Sequence, residues 1–363
     1  MTQRGLPSPP DTHRLQSDVE FCEDFCTCAK DRRYILGRNI YSESVAAHLP
    51  VEAFVDDFTM ATEHLGRPVV RISDVPKDAL VLNAAGGRLK TARRYLTAAR
   101  LRNLDYFAFF KMSGLPLIEA RFNEGFQLEF ETNRDHYNFV YRRLADALSR
   151  EVYRSLVWFR YTYNIAFLEG FEERQDQQYF EDLLELKHTG ETFYDVGGFK
   201  GETTCAFARR FPGYRAVHLF EPEEDNFSAC LAVTANLERV ICHSVGLSRT
   251  KEILKFDASG SCSKVADNGE TVVNVDKLDN IQVEAPTFIK MDIEGAEGAA
   301  IEGGARTIGK YRPKIAMAVY HRPGDFWRIP EQILGIREDY DLYLRHYTES
   351  IYETVMYFVP RSA

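Results

Sequence analysis

Hydrophobic and polar positions follow two different rhythms along this chain, and the changes of rhythm divide it. From about residue 30 to 115, short apolar, β-prone runs are separated by helical stretches. Strands are predicted at Arg33–Leu36, Val51–Val55, Ala79–Leu82 and Tyr106–Phe110, with helices over Ser44–Leu49 and Arg88–Arg102. Such alternation predicts a parallel sheet with crossover helices, a small Rossmann-like unit. From about Arg134 to Leu186 proline is absent and glycine scarce, and apolar residues recur at helical spacing, which predicts two or three amphipathic helices. The aromatics there (Trp158, Phe159, Tyr161, Tyr163, Phe167) are read as packing residues. After His188-Thr189-Gly190 the strand–helix alternation resumes, with strands predicted at Thr192–Val196, Ala216–Phe220, Arg239–Val245, Phe288–Met291 and Lys314–Tyr320. It closes in a β-hairpin, Tyr340–Tyr347 and Tyr352–Val359. The expected organisation is a disordered or extended N-terminus over 1–29, a Rossmann-like α/β domain over 30–133, a helical connector over 134–188 and a second α/β domain over 189–363.

Composition narrows the partners. The 363 residues carry a formal net charge of −9, with 45% hydrophobic and 27% charged residues, the balance of a soluble globular protein. A phosphate backbone would be repelled by that field. The basic stretch from Arg88 through Lys90 to Arg93 and Arg94 reads as the solvated face of a helix, so no nucleic-acid partner is expected. The seven cysteines, Cys22, Cys26, Cys28, Cys205, Cys230, Cys242 and Cys262, are scattered and odd in number. They fit unligated thiols in a reducing compartment better than a disulfide framework or a zinc site. The N-terminus has no apolar signal-like core, and no run of about 18 apolar residues occurs. A cytoplasmic protein without a transmembrane segment is expected.

The second half carries the candidate chemistry. In FYDVGGFKGET an apolar strand runs into Gly197, Gly198 and Gly201, where missing Cβ atoms let a ligand approach the backbone. Glu221 ends the next strand about twenty residues on, where α/β nucleotide folds place the acid that holds ribose hydroxyls. Another strand ends at Asp292, with Glu294 and Glu297 close behind, and a further one ends at His321. Ligands of open α/β sheets bind outside the carboxyl ends of the strands, and Asp195, Glu221, Asp292 and His321 all belong there.

Taken together, DVGGFKG, the FEP of Phe220–Pro222, Asn236, Leu278-Asp279 and above all IKMDIEGAE at Ile289–Glu297 resemble the FkbM family of S-adenosylmethionine-dependent methyltransferases, over about Glu191 to Pro360. The resemblance implies a class I, Rossmann-like methyltransferase sheet with a terminal antiparallel hairpin. It implies cofactor contacts from Asp195, Gly197, Gly198 and Gly201 at the methionine end, Glu221 at the ribose and Ser244 or its neighbours near the adenine. It also implies O-methylation of a sugar, glycan or related small molecule. Some members carry an N-terminal Rossmann-like unit, which RYILGRNIYSES, AFVDD and LVLNAAGG resemble. There Gly37 is present, but Asn39 and Ser42 stand where a dinucleotide fingerprint has glycines. Asp56 or Asp57 is left as the ribose acid of that unit.

For the transfer itself His321 is the first candidate base, since imidazole titrates near neutrality. Asp292 is the second, and with Glu294 it could instead help hold a divalent metal ion. Two other readings share the glycine turn and acid: an NAD(P)-dependent nucleotide-sugar oxidoreductase and a non-catalytic scaffold that binds S-adenosylmethionine. A carboxylate at Asp195 suits a cationic cofactor tail better than a pyrophosphate.

Overall fold

The computed structural model describes residues 5–8, 15–257, 264–265, 271–281 and 283–361. The N-terminal sheet contains β1 (Arg33–Leu36), β2 (Ala53–Val55), β3 (Glu63–His64), β4 (Arg67–Val70), β5 (Leu80–Asn83) and β6 (Arg102–Asp105), in the order β3-β4-β2-β1-β5-β6. Its pairings are parallel except for the β3–β4 hairpin.

The second half contributes β7 (Thr192–Val196), β8 (Ala216–Phe220), β9 (Val240–His243), β10 (Gly246–Leu247), β11 (Glu252–Asp257), β12 (Lys264–Val265), β13 (Thr271–Asp276), β14 (Phe288–Met291), β15 (Lys314–Ala318), β16 (Tyr340–His346) and β17 (Thr354–Pro360). Seven of them form the main sheet, in the order β16-β17-β15-β14-β7-β8-β9. The β16–β17 hairpin pairs antiparallel to β15, and the other pairs are parallel. A side sheet, β10-β13-β11-β12, leaves its edge. Every residue of β7, β8 and β14 is buried, because helices or connectors cover both faces. These strands therefore read as continuous apolar runs rather than as alternations. Phe193, Val217, Phe288 and Ala316 point to one core, and Tyr194, Phe220, Ile289 and Met317 to the other.

Between the sheets run the helices Phe126–Arg143 and Ala147–Thr162. Trp158, Phe159 and Tyr163 are buried in the larger core, and Tyr161 and Phe167 pack against it, as packing residues should. That core is continuous from Phe25 and Ile35 in the N-terminal unit, through Tyr153, to Met356 and Phe358 in the hairpin. Arg160 is buried in the connector. It donates to the carbonyls of Phe122, Tyr320 and Ile351 and lies over the rings of Phe126 and Phe326.

Several expectations need correction. Residues 1–29 are not wholly extended or disordered: Gln16–Thr27 is a helix that buries Phe21, Cys22 and Phe25. Tyr106–Phe110 is not a strand but the start of a helix, Tyr106–Met112, capped by the Asp105 carboxylate, which accepts from the Ala108 N–H. Burial of Tyr106, Phe107 and Phe109 overrides the β-propensity of the aromatics. The strand is Arg102–Asp105, so the preceding helix stops at Ala98. The helix expected over Ser44–Leu49 starts earlier, at Ile40, because Asn39 and Ser42 form a capping box. Lys90 is not simply solvated; its ammonium donates to the carbonyls of Leu168, Glu169 and Phe171. The helix Asp325–Ile336, with Pro330 inside it, and the side sheet were not anticipated. The six cysteines among the described residues form no disulfide; Cys262 lies outside the described residues.

Candidate active site

The main sheet reverses its winding between β7 and β14, and the candidate residues gather at the carboxyl ends beside that point. β7 turns out of the sheet at Gly197, whose φ is +80°. A Cβ there would stand 1.9 Å from the Asp292 carbonyl oxygen, so only glycine permits the two chain segments to meet. The turn is tied to the next strand by Glu221, which accepts from the N–H groups of Phe199 (2.8 Å) and Glu223 (3.0 Å). Burial pushes the Glu221 carboxyl above its ordinary value. Ser244 is exposed just past the end of β9.

Asp195 departs from its expected role. It is fully buried and directly opposite Lys290 in the β7–β14 register. Its carboxylate lies 3.1 Å from the Lys290 ammonium and accepts from the Thr204 hydroxyl at 2.7 Å. Lys290 also donates to the Gly197 carbonyl at 2.5 Å. Burial pushes that ammonium down, but the carboxylates of Asp195, Asp292 and Glu221 outweigh it and hold it above its usual value. With no exposed surface and a paired charge, Asp195 braces the turn from behind instead of meeting a cationic cofactor tail. The sequence signal for Lys290 was a lone lysine in the apolar strand FIKM, since a buried ammonium requires a counter-charge.

Asp292, Glu294 and His321 do come together, as their positions predicted. The imidazole Nδ1 of His321 is 2.9 Å from Glu297 Oε1, and its Nε2 is 3.2 Å from Asp292 Oδ1 and 3.8 Å from Glu294 Oε2. Burial disfavours the imidazolium, but Glu297, Asp292 and Glu294 outweigh burial and raise its pKa to about 10. The three carboxylates thus favour the protonated imidazole over the neutral one that a general base requires. Asp292 Oδ2 accepts from the hydroxyl of buried Tyr179 at 2.5 Å. Glu353 stands at the same rim, accepting from Tyr320 (3.2 Å) and Gln178 (2.6 Å). Tyr179 lies in no motif, and Glu353 lies in the terminal hairpin without a signal of its own; only the tertiary fold brings them to the site. His346 is buried in the hairpin, with Nδ1 bonded to Thr354 and Nε2 to the Ser350 carbonyl.

The N-terminal unit has the topology of a nucleotide fold, yet its would-be ligand groups are engaged internally. Asn39 accepts from the N–H groups that open the first helix, and its amide donates to the Ala84 carbonyl across the crevice. Asp56 pairs with Arg38 at 2.9 Å, and Asp57 accepts from the Ile72 N–H. Glu349, from the turn between β16 and β17, accepts from the N–H and hydroxyl of Thr91 in the first turn of the helix Leu89–Ala98. Ser350 of that turn donates to the Gly86 carbonyl, and Tyr352 meets Tyr41 hydroxyl to hydroxyl at 3.0 Å. The hairpin turn thus caps the helix that follows β5.

Comparison with known proteins follows the same lines. Residues 195–350 match the methyltransferase FkbM domain. The fold of the whole chain is similar to the crystal structure of methyltransferase FkbM from Methylobacillus flagellatus KT. That match has a TM-score of 0.76 at 24% identity and covers 95% of this chain and 93% of that one. It includes the N-terminal unit of this chain. A putative rRNA-methylase from Clostridium thermocellum (9% identity, 55% of this chain and 93% of that one) reaches a TM-score of 0.34. Aeropyrum pernix fibrillarin with natively bound S-adenosyl-L-methionine (14%, 53% and 76%) reaches the same score. No curated protein matches the chain. Among the described residues no helix is long and apolar enough to cross a membrane.

Proposed function

We propose that S-adenosylmethionine lies along the carboxyl ends of β7, β8 and β9, and that its methyl group passes to a hydroxyl of a sugar, glycan or related small polar molecule. The observation that carries the acceptor class is the concentration of carboxylates at the rim, Asp292, Glu294 and Glu353, beside the glycine turn. Such a wall accepts hydrogen bonds from hydroxyl groups and repels phosphates and other anions. Glu221 is the ribose acid: each of its oxygens takes one backbone N–H and keeps a lone pair for a hydroxyl. The backbone of Gly197 to Gly201 takes the methionine end.

The acceptor oxygen attacks the methyl carbon. The carbon–sulfur bond breaks, its electron pair stays on sulfur, and S-adenosylhomocysteine leaves neutral at that atom. The hydroxyl proton goes to a rim carboxylate, with Asp292 the best placed, since Tyr179 fixes its other oxygen. Alignment supplies much of the rate, because the sulfonium is already a strong electrophile.

Two measurements test this reading. Glu221→Ala is expected to weaken S-adenosylmethionine binding by about 1–3 kcal/mol, roughly ten- to a hundredfold, in calorimetry; unchanged affinity removes Glu221 from the ribose. Incubation with methyl-labelled S-adenosylmethionine and saccharide fractions, with mass analysis of the product, should show label on a hydroxyl oxygen. Label appearing instead on nitrogen or carbon overturns the acceptor class.

A further inference from the structure

We infer that Asp292, Glu294 and His321 form a site for a divalent cation, with His321 Nε2 and one oxygen of each carboxylate as ligands. One ligand atom from each residue can be chosen so that all three lie within 4.8 Å of one another. Two ligands at right angles around an ion at ~2.1 Å are ~3 Å apart, and opposed ligands ~4.2 Å. The 3.2 Å and 3.8 Å separations from Nε2 fall in that span. A small rotation of the Glu294 side chain, which is 35% exposed, brings in the third ligand.

What separates this cluster from an ordinary group of acids is the imidazole. His321 is 5% exposed, yet its Nε2 has no hydrogen-bond partner and points between the two carboxylates. A buried polar atom without a partner calls for an explanation, and an ion is one. The atoms behind the site are arranged as metal sites require. Glu297 holds Nδ1, the carboxylate–histidine arrangement that fixes the tautomer and leaves Nε2 for a metal. Tyr179 holds Asp292 Oδ2, leaving Oδ1 facing the site. Glu294 sits at φ +55°, in the left-handed region that an L residue seldom adopts, and is followed by Gly295 at +95°. Such strain is retained where the surrounding structure needs a side chain in one place.

One imidazole nitrogen with two carboxylate oxygens suits an ion of mixed oxygen and nitrogen preference, for which Mn2+ is the test ion. Three protein ligands leave coordination positions open on the Glu294 side. On the proposed methyl transfer, on which this role rests, an acceptor hydroxyl would enter there, and the bound ion would supply the charge that acidifies it.

The test reads the metal directly. Full-length protein stripped with chelator is titrated with Mn2+, and free Mn2+ is followed by its electron paramagnetic resonance signal. One equivalent is expected to bind, and Asp292→Asn and Glu294→Gln are each expected to weaken it at least about tenfold. Glu297→Gln is expected to weaken it ten- to a hundredfold through the imidazole. Asp341→Asn, an exposed acid far along β16, should bind as the unaltered protein does. Circular dichroism confirms that each variant folds; Glu294→Gln changes a partly exposed side chain and keeps the test alive should Glu297→Gln unfold. No binding up to millimolar Mn2+, or equal binding by Asp292→Asn and Glu294→Gln, overturns the site. Calorimetry with S-adenosylmethionine on the same samples reports on the proposed function separately. Cofactor binding without Mn2+ binding overturns only the metal site, and Mn2+ binding without cofactor binding overturns only the transfer.

Discussion

Lys290 shows how one residue links sequence to site. Its ammonium is buried 3.1 Å from Asp195 and is bonded to the carbonyl of the glycine turn. Removing one partner of a buried pair leaves an uncompensated charge, which costs more than the pair contributes. Lys290→Met is expected to destabilise the protein by about 3–5 kcal/mol in urea denaturation. Adding Asp195→Asn should recover part of that loss, because the stranded carboxylate is then gone. If the double variant is no more stable than the single one, the ion pair is not what holds the turn. The pair was half legible in the sequence: both charges stood in apolar strands, but nothing showed that β7 and β14 are neighbours in register. The same holds for His321. Its strand-end position was readable, whereas its charge state depends on Glu297, Asp292 and Glu294 converging on it.

At the scale of elements, the terminal hairpin connects the two halves of the molecule. Its turn places Glu349 and Ser350 on the N-terminal unit, while Glu353 stands at the rim near Asp292. His346 anchors the turn from inside, and burial pushes its pKa down to about 3. A base whose folded pKa is depressed binds its proton in the unfolded chain first. The stability it contributes is therefore present above pH 6.5 and is lost as the pH falls toward 3. Between pH 8 and pH 5 this residue alone should lower stability by about 2 kcal/mol. Denaturant midpoints measured across that range should fall less steeply in His346→Asn, and an unchanged slope would discard the assignment. The hairpin's strands were plain in the alternation of LRHY and TVMYFV. Their docking was not, because a turn's partners lie more than two hundred residues away in the chain.

For the whole molecule the decisive feature is the continuous core from Phe25 and Ile35 through Tyr153 to Phe358. Two units that share one core unfold together, so calorimetry is expected to show a single transition with equal calorimetric and van't Hoff enthalpies. Two resolved transitions would mean that the units are independent. The internal bonds of Asn39, Asp56 and Asp57 further predict no detectable heat on titration with NAD or ADP. By itself the sequence determined the strands β7, β8 and β14, the glycine turn, the acid after β8 and the family motif at Ile289–Glu297, because local periodicity and backbone freedom are properties of short segments. It also determined that the end of β14 carries acids and the end of β15 a histidine. Only the tertiary structure decided what those groups do. It paired Asp195 with Lys290, set His321 among three carboxylates, brought Tyr179 and Glu353 to the rim and docked the last hairpin on the N-terminal unit. Charge state, burial and partner choice are set by groups distant in the chain, and folding alone makes them neighbours.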